Sequence, residues 1–187
     1  MQDIPRDIVE QAQAGDMQAF QRIYRIASGF VYNVALRITN NQQEAEEVTQ
    51  DVFMKIYHHL KEFQFRSSFK TWAYRIAVNT ALNAYKKMSR FNRRRVDLDS
   101  VIDTQAVSKD NREEIFQAEE RKEKEKRLAS LLKMLNPHQR AVIVLREIQG
   151  LSYQEISQIL KINLNTVRSR LKRGREALLA QGVTAGR

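Results

Sequence analysis

Apolar residues recur every three or four positions along nearly the whole sequence, and this spacing most limits what the chain can fold into. Residues three and four apart lie on one side of an α-helix, so such a stripe can pack against a core. In the helix predicted from residue 42 to about 63, the stripe is Ala45, Val48, Val52, Ile56 and Leu60. We find no convincing alternation of the kind a half-buried strand shows, and the chain has only six Gly and two Pro. The sequence therefore predicts an all-α fold.

The helical periodicity is lost between residues 90 and 111, which divides the chain. We predict two small helical domains, over 1–89 and 112–187, joined by a flexible linker over 90–111. The formal net charge of +10 is unevenly spread: it is −3 over 1–60, +9 over 61–95, −4 over 96–126 and +8 over 127–187. Two basic blocks separated by an acidic one indicate two surfaces that contact nucleic acid.

The C-terminal part of the second domain has the start and stop signals of a helix-turn-helix. Asn136 followed by Pro predicts the start of a helix over 137–148. Ser152 and Glu155 form a capping-box pattern that starts a helix ending at Leu160. After a turn over 161–163, Asn163 is the expected N-cap of a last helix over 164–179.

The last helix has two different sides. Its predicted apolar stripe is Val167, Leu171, Gly174 and Leu178. The opposite side carries Asn165, Arg168, Ser169, Lys172 and Arg173. A helix in the major groove of DNA needs amide and guanidinium groups for base edges and cations for phosphates. The alternative is an ordinary solvated surface helix, but acidic residues are nearly absent from this side, which favours DNA contact.

A second candidate surface lies on the helix predicted from Thr71 to about Met88. It combines aromatic residues with cations and amides, as surfaces that bind single-stranded nucleic acid do. The alternative is that Trp72 and Tyr74 are core residues. For Trp72 both roles stay open, because one ring can serve both.

The sequence gives no sign of an enzyme. It has no Cys, and none of its three His has a partner at metal-ligand spacing. We find no nucleophile–base pair and no Gly-rich phosphate loop, so no catalysis, cofactor or metal is expected. No signal-peptide core and no run of about 20 apolar residues is present, so we expect a soluble, cytoplasmic protein.

Three segments, in this order, carry a family resemblance: AEEVTQDVFMKIYHHL (45–60), SSFKTWAYRIAVNTALN (67–83) and LNPHQRAVIVLREIQGLSYQEISQILKINLNTVRSRLKRGREAL (135–178). With them the chain resembles a bacterial RNA polymerase sigma factor of the extracytoplasmic-function (ECF) group. The resemblance implies a specificity subunit that directs core RNA polymerase to promoters and helps to open them.

The resemblance also implies roles for individual residues. Docking on core polymerase is expected of Glu47, Gln50, Asp51 and Met54. Binding and melting of the minus-ten element, with its non-template strand, is expected of Phe65, Arg66, Ser67, Lys70, Trp72, Arg75, Asn79, Asn83 and Lys86. Binding of the minus-thirty-five duplex is expected of Asn165, Thr166, Arg168, Ser169, Arg170, Lys172 and Arg173.

The expected partners are core RNA polymerase, promoter DNA and an anti-sigma factor, with no membrane insertion and a monomer in the free state. The alternative function is a helix-turn-helix repressor or activator that binds duplex operators as a dimer. That alternative gives no role to residues 64–87.

Overall fold

The computed structural model describes residues 3–94 and 112–180, and every regular element in these two ranges is helical, as predicted. The α-helices are α1 (Arg6–Gln13), α2 (Met17–Thr39), α3 (Gln42–His59), α4 (Phe69–Arg94), α5 (Arg112–Lys133), α6 (Pro137–Ile143), α7 (Tyr153–Leu160) and α8 (Leu164–Leu179). A 3₁₀ turn (Leu60–Glu62) follows α3, and a π-helical turn (Val144–Ile148) continues α6. No helix in the described ranges has the length and apolarity needed to cross a membrane.

The N-terminal domain is built on α2, α3 and α4, which pack against one another and are closed at one end by α1. Its core is made of fully or almost fully buried aliphatic side chains, including Val9, Ile23, Val34, Val52, Ile56, Ala77 and Val78. Helix α4 is longer than predicted, because it starts two residues earlier and continues to Arg94. The first residues assigned to the linker, 90–94, are therefore helical, and its remainder lies outside the described residues.

The local signals that predicted the C-terminal domain are confirmed. Asn136 and Ser152 each form a complete capping box, with Gln139 and Glu155 respectively. Asn163 caps α8, since its side chain accepts a hydrogen bond of 2.7 Å from the backbone N–H of Thr166. These bonds satisfy N–H groups that the first turn of a helix leaves without partners.

Helix α8 packs closely against α6 through a residue without a side chain. A Cβ at Gly174 would lie 2.9 Å from Cγ1 of Ile143, so glycine permits this approach. Val167 and Leu171 are buried on the same side of α8, while Leu178 is partly buried. The stripe predicted from the sequence is therefore the one that fixes α8 on its domain.

The two domains pack together, chiefly through α4 and α7. The hydroxyl of Tyr74 donates a hydrogen bond of 2.6 Å to Oε1 of Gln149. The guanidinium of Arg140 donates one of 2.7 Å to the carbonyl oxygen of Ile38 and lies over the ring of Tyr85. These contacts hold the helix-turn-helix against the N-terminal domain.

Candidate DNA and protein interfaces

The polar side of α8 is open to solvent. Asn165, Arg168, Ser169, Lys172 and Arg173 are all exposed, whereas Thr166 and Arg170 at its margin are half-buried. A guanidinium N–H of Arg168 donates a hydrogen bond of 3.1 Å to Oδ1 of Asn165. The hydroxyl of Ser169 donates to the carbonyl oxygen of Thr166 at 3.1 Å. The predicted duplex-binding set is thus one continuous surface, on which Asn165 orients Arg168.

An ion pair helps to fix this surface on its domain. Two guanidinium N–H groups of Arg175 donate to one carboxylate oxygen of Glu147, at 2.6 and 3.0 Å. This hydrogen-bonded pair raises the pKa of Arg175. Both side chains are partly exposed, so the pair contributes little to stability but links α8 to the π-helical turn.

The second predicted surface begins in the loop between α3 and α4. Phe65 has a left-handed backbone conformation, with φ of 54°, and is half-buried against the ring of Phe63. Arg66 is exposed and Ser67 half-buried. Ser68 then caps α4, because its hydroxyl oxygen accepts a hydrogen bond from the backbone N–H of Thr71 at 3.1 Å. The loop has a defined shape that presents Arg66 outward.

Aromatic packing joins this loop to the first turn of α4. Phe63 and Phe69 are buried, and the ring centre of Trp72 lies 5.0 Å from that of Phe63 and 5.6 Å from that of Phe69. Trp72 itself is half-buried, so part of its ring remains exposed. It is therefore both a packing residue and accessible to a ligand, whereas Tyr74 is a fully buried residue at the domain interface.

The remaining minus-ten candidates follow along α4. Lys70 and Arg75 are half-buried, and Asn79, Asn83 and Lys86 are exposed. At 100° per residue, each of the five candidates from Trp72 onward lies roughly 100–180° around the helix from Tyr74, which is buried at the domain interface. These five are Trp72, Arg75, Asn79, Asn83 and Lys86. Packing of the two domains thus leaves most of this surface open.

The polar side of α3 is also open, and it is wider than predicted. Glu47, Gln50, Asp51 and Met54 are all exposed on one side of the helix. Tyr57 and Tyr24, which are 49% and 48% exposed, extend this surface; Tyr24 packs on the buried ring of Phe53. Helical periodicity alone does not show that these two tyrosines are exposed, because both lie beside buried residues of their helices, Ile23 and Ile56.

A groove of about 1000 Å³ between α3 and α4 brings two of the predicted sets together. Glu47 and Asp51 line its acidic wall, and Asn83 and Lys86 line its basic wall. The core-docking and minus-ten candidates are therefore neighbours on one domain, with opposite charge on facing walls.

Charges from both predicted DNA-binding sets affect the pKa of His138. Burial is the main cause that lowers the pKa of His138, and the charges of Arg170 and Lys86 lower it further. Arg170 belongs to α8 and Lys86 to α4, so cations of both domains act on one imidazole. Among the described residues, no three acidic or histidine side chains converge as metal ligands.

Residues at the domain interface were missed by the sequence analysis. Arg140 is 1% exposed, and burial lowers the pKa of its guanidinium, partly opposed by Tyr85. Burial raises the pKa of Tyr74 to about 12. Nothing in the local pattern around these residues indicated a contact with the other domain.

Comparison with known proteins gives consistent matches for both domains. Residues 23–91 match the family model for Sigma-70 region 2, and residues 125–178 match that for Sigma-70, region 4. The chain is 33% identical to the RNA polymerase sigma-H factor of Pseudomonas aeruginosa, over 95% of this chain and 93% of that protein. It is 34% identical to the ECF RNA polymerase sigma-E factor of Escherichia coli, over 91% of this chain and 90% of that protein.

A solved structure has the same fold. It is the sigma factor RpoE in complex with the anti-sigma factor NepR from Bartonella quintana, with a TM-score of 0.66 and 23% identity. The match covers 88% of this chain and 96% of that one.

Proposed function

The chain belongs to the ECF group of RNA polymerase sigma factors, and we propose that its exposed surfaces divide the work of promoter recognition as follows. As a sigma factor it directs core RNA polymerase to promoters. The N-terminal domain, which extends through the end of α4 at Arg94, docks on the core enzyme and binds the minus-ten element. Residues 112–187 are the domain that binds the minus-thirty-five element, and residues 95–111 link the two.

The upstream element is recognised by α8. Its exposed amide and guanidinium groups suit base edges, and Lys172 and Arg173 suit phosphates. Arg168 is the candidate for base recognition, because its hydrogen bond to Asn165 restrains a long side chain before DNA is bound.

The melted minus-ten strand is bound by the loop and by the exposed side of α4. Trp72 offers an aromatic face for stacking, while Asn79 and Asn83 offer amides for base edges. Arg66 and Lys86 contribute cations along the strand. A base taken out of the stack needs a pocket, and the loop next to Trp72 supplies one wall of it.

Core polymerase docks on α3. Glu47, Gln50, Asp51 and Met54 form the centre of the contact, and Tyr24 and Tyr57 extend it. Exposed aromatic residues and Met beside a few carboxylates are typical of protein–protein interfaces.

The observation that supports this assignment is that two domains of one chain each expose a surface with cations and amides, joined on the loop and α4 by aromatic residues. A dimeric operator-binding protein needs only the surface on α8, and it would leave the loop and α4 without a role. Once the linker and the core enzyme hold both domains, the second DNA contact becomes effectively intramolecular.

Control of the factor by an anti-sigma protein is part of the proposal. The solved relative is bound to such a protein. In this chain the two domains pack together, and each has exposed surfaces beside their interface that an anti-sigma protein can bind. We place the protein in the cytoplasm, with promoter DNA, as an initiation factor with no chemistry of its own and as a monomer when free.

Mapping of transcript starts tests the proposed function. Purified core RNA polymerase and genomic DNA are incubated with the protein, with core alone and with the double variant Arg168→Ala/Lys172→Ala as controls. We expect new starts that share two upstream sequence blocks, absent from core alone and reduced with the double variant. A folded protein that gives no new starts but elutes as a dimer would favour the operator-binding alternative.

A further inference from the structure

The N-terminal segment contacts the loop between α3 and α4 at its start, its middle and its end. At the start, the side-chain amide of Gln13 in α1 donates two hydrogen bonds of 2.8 Å, to the carbonyl oxygens of Leu60 and Phe63. These acceptors lie 47 and 50 residues further along the chain. One side chain therefore fixes the start of the loop relative to α1.

In the middle of the loop, the ring of Phe65 lies between two partners. The guanidinium carbon of Arg6 lies 4.5 Å from the ring centre of Phe65, and Phe63 packs against the same ring. Glu10 accepts a hydrogen bond of 2.7 Å from Nε of Arg6 and so restrains the guanidinium. A bulky residue with φ of 54° is strained, and such a conformation persists only where its surroundings hold it.

At the end of the loop, a carboxylate oxygen of Asp3 accepts a hydrogen bond of 3.3 Å from the backbone N–H of Lys70, in the first turn of α4. Helix α1, which carries Arg6 and Gln13, is fixed on the domain because Ile8 and Val9 are buried in the core. Three contacts from residues 3–13 thus determine where the loop starts, how Phe65 is turned and where α4 begins.

We infer that Gln13 and Arg6 are positioning residues for base selection at the minus-ten element. They act through the loop and not by touching the base, so this inference rests on the function proposed above for the loop. Both residues precede residue 23, where the match to Sigma-70 region 2 begins. Promoter preference in this protein is therefore set partly by a helix outside that matched segment.

A merely structural role for α1 predicts a different result. If Gln13 and Arg6 only stabilised the domain, their loss would lower transcription from all promoters by the same factor. If they set the shape of the loop, their loss changes which base is preferred. The relative use of promoter variants distinguishes these cases, because a common factor cancels from it.

The first test uses Gln13→Glu, which keeps the shape of the side chain but replaces the donating amide with a carboxylate facing two carbonyl oxygens. Gln11→Glu, at an exposed position of the same helix, adds the same charge as a matched control. Each protein, with core polymerase, transcribes a promoter library randomised over the minus-ten block, and the transcripts are sequenced. We expect Gln13→Glu to reduce the preference at one position by about fivefold or more, with unchanged minus-thirty-five preference and core affinity. Gln11→Glu should match the unchanged protein.

The second test uses Arg6→Gln, whose side chain is 71% exposed, so the fold is retained. Lys61→Gln is its control, because Lys61 is an exposed cation close to the loop. We expect Arg6→Gln to change the preference at the same position and Lys61→Gln to leave it unchanged. Equal effects of the two substitutions would mean that charge alone is responsible, and the inference for Arg6 would be overturned.

Loop variants separate failure of this inference from failure of the proposed function. Arg66→Ala and Ser67→Ala alter the loop itself. If they change the minus-ten preference but Gln13→Glu and Arg6→Gln do not, only the positioning inference fails. If the loop variants also leave the preference unchanged, the loop does not select bases. The positioning inference and the function proposed for the loop then both fail.

Discussion

The guanidinium of Arg140, in the helix-turn-helix domain, donates a buried hydrogen bond of 2.7 Å to the carbonyl oxygen of Ile38, 102 residues earlier. The same group donates to the carbonyl oxygens of Leu135, at 3.1 Å, and Lys133, at 3.4 Å, in its own domain. Burying a cation is costly unless hydrogen bonds compensate it. Three carbonyls do so for the two terminal nitrogens of Arg140, whereas its Nε is buried without a hydrogen-bond partner in the described part of the chain. Arg140 therefore links the local structure around Leu135 in the second domain to the packing of that domain against the first.

Replacing Arg140 by Ala should separate the domains and destabilise the protein. The loss of these hydrogen bonds should lower the free energy of unfolding by about 3 kcal/mol or more. Arg146→Ala is the matched control, because within residues 3–94 and 112–180 the guanidinium of Arg146 donates a hydrogen bond to Leu151 of its own domain and none to the N-terminal domain. Urea unfolding gives the free energies, and small-angle scattering gives the radius of gyration. An unchanged radius for Arg140→Ala would show that the contact does not hold the domains together.

Arg168 and Arg170 should differ in their effect on promoter binding. The exposed Arg168 is the proposed reader of a base edge in the major groove of DNA, whereas the half-buried Arg170 lies at the margin of this surface, where a phosphate contact is expected. Arg168→Ala should relax the preference at one upstream position by about 1–3 kcal/mol. Arg170→Ala should weaken binding to all promoters alike and reduce the slope of log affinity against log salt by about 1. Binding of holoenzyme to a minus-thirty-five library at several salt concentrations measures both. A uniform loss with Arg168→Ala would remove its assignment to base recognition.

Trp72 should be needed for promoter opening and not for first binding. Trp72→Ala should leave closed-complex formation intact but lower the permanganate reactivity of minus-ten thymines. Phe69→Leu is the control for packing, since Phe69 belongs to the same aromatic cluster but is only 3% exposed. Both substitutions should cost about 1–3 kcal/mol of stability, and only the first should impair opening. Normal thymine reactivity in Trp72→Ala would exclude this role.

Glu155 should make stability depend on pH on the acid side. Hydrogen bonds with Ser152 lower the pKa of Glu155 below its usual 4.5, more than burial raises it. The unfolded chain therefore binds the proton more readily, so this stabilisation is fully present above about pH 4.5 and is lost as pH falls through the lowered pKa. Glu155→Gln should cost about 0.3–1 kcal/mol at pH 7, and the difference should disappear in acid. Urea titrations from pH 7 into the acid range measure it, and a difference that does not shrink as the pH falls would contradict the assignment.

Local structure followed from the sequence to a large extent, whereas contacts between distant residues did not. The limits of α8, the caps at Ser152 and Asn163 and the buried stripe through Leu171 all depend on residues within a few positions of one another. Periodicity shows which side of a helix is apolar, but it does not show which element covers that side. For this reason the spacing of Tyr24 with Ile23 and Ala27 does not show that half of its side chain is exposed.

For a charged residue, Arg140 likewise shows that the sequence does not reveal contacts between distant residues. An arginine next to an apolar stripe is expected at the surface, and only distant acceptors such as the carbonyl of Ile38 make its burial favourable. The contacts of Gln13 with Leu60 and Phe63 likewise required the fold. Periodicity predicted the exposed side of α8, the resemblance implied the roles of the other candidate residues, and the assignment of every individual role stays a prediction.

Helix α4 keeps its two kinds of contact on separate sides: Tyr74 and Tyr85 face the second domain, while Asn79 and Asn83 face solvent. A substitution on one side leaves the side chains of the other in place. If the exposed side of α4 selects promoter bases as proposed, mutation alters that selection without altering how the two domains pack, and the reverse also holds. Duplicated copies of such a gene can thereby acquire separate sets of target genes while their two domains keep the same packing.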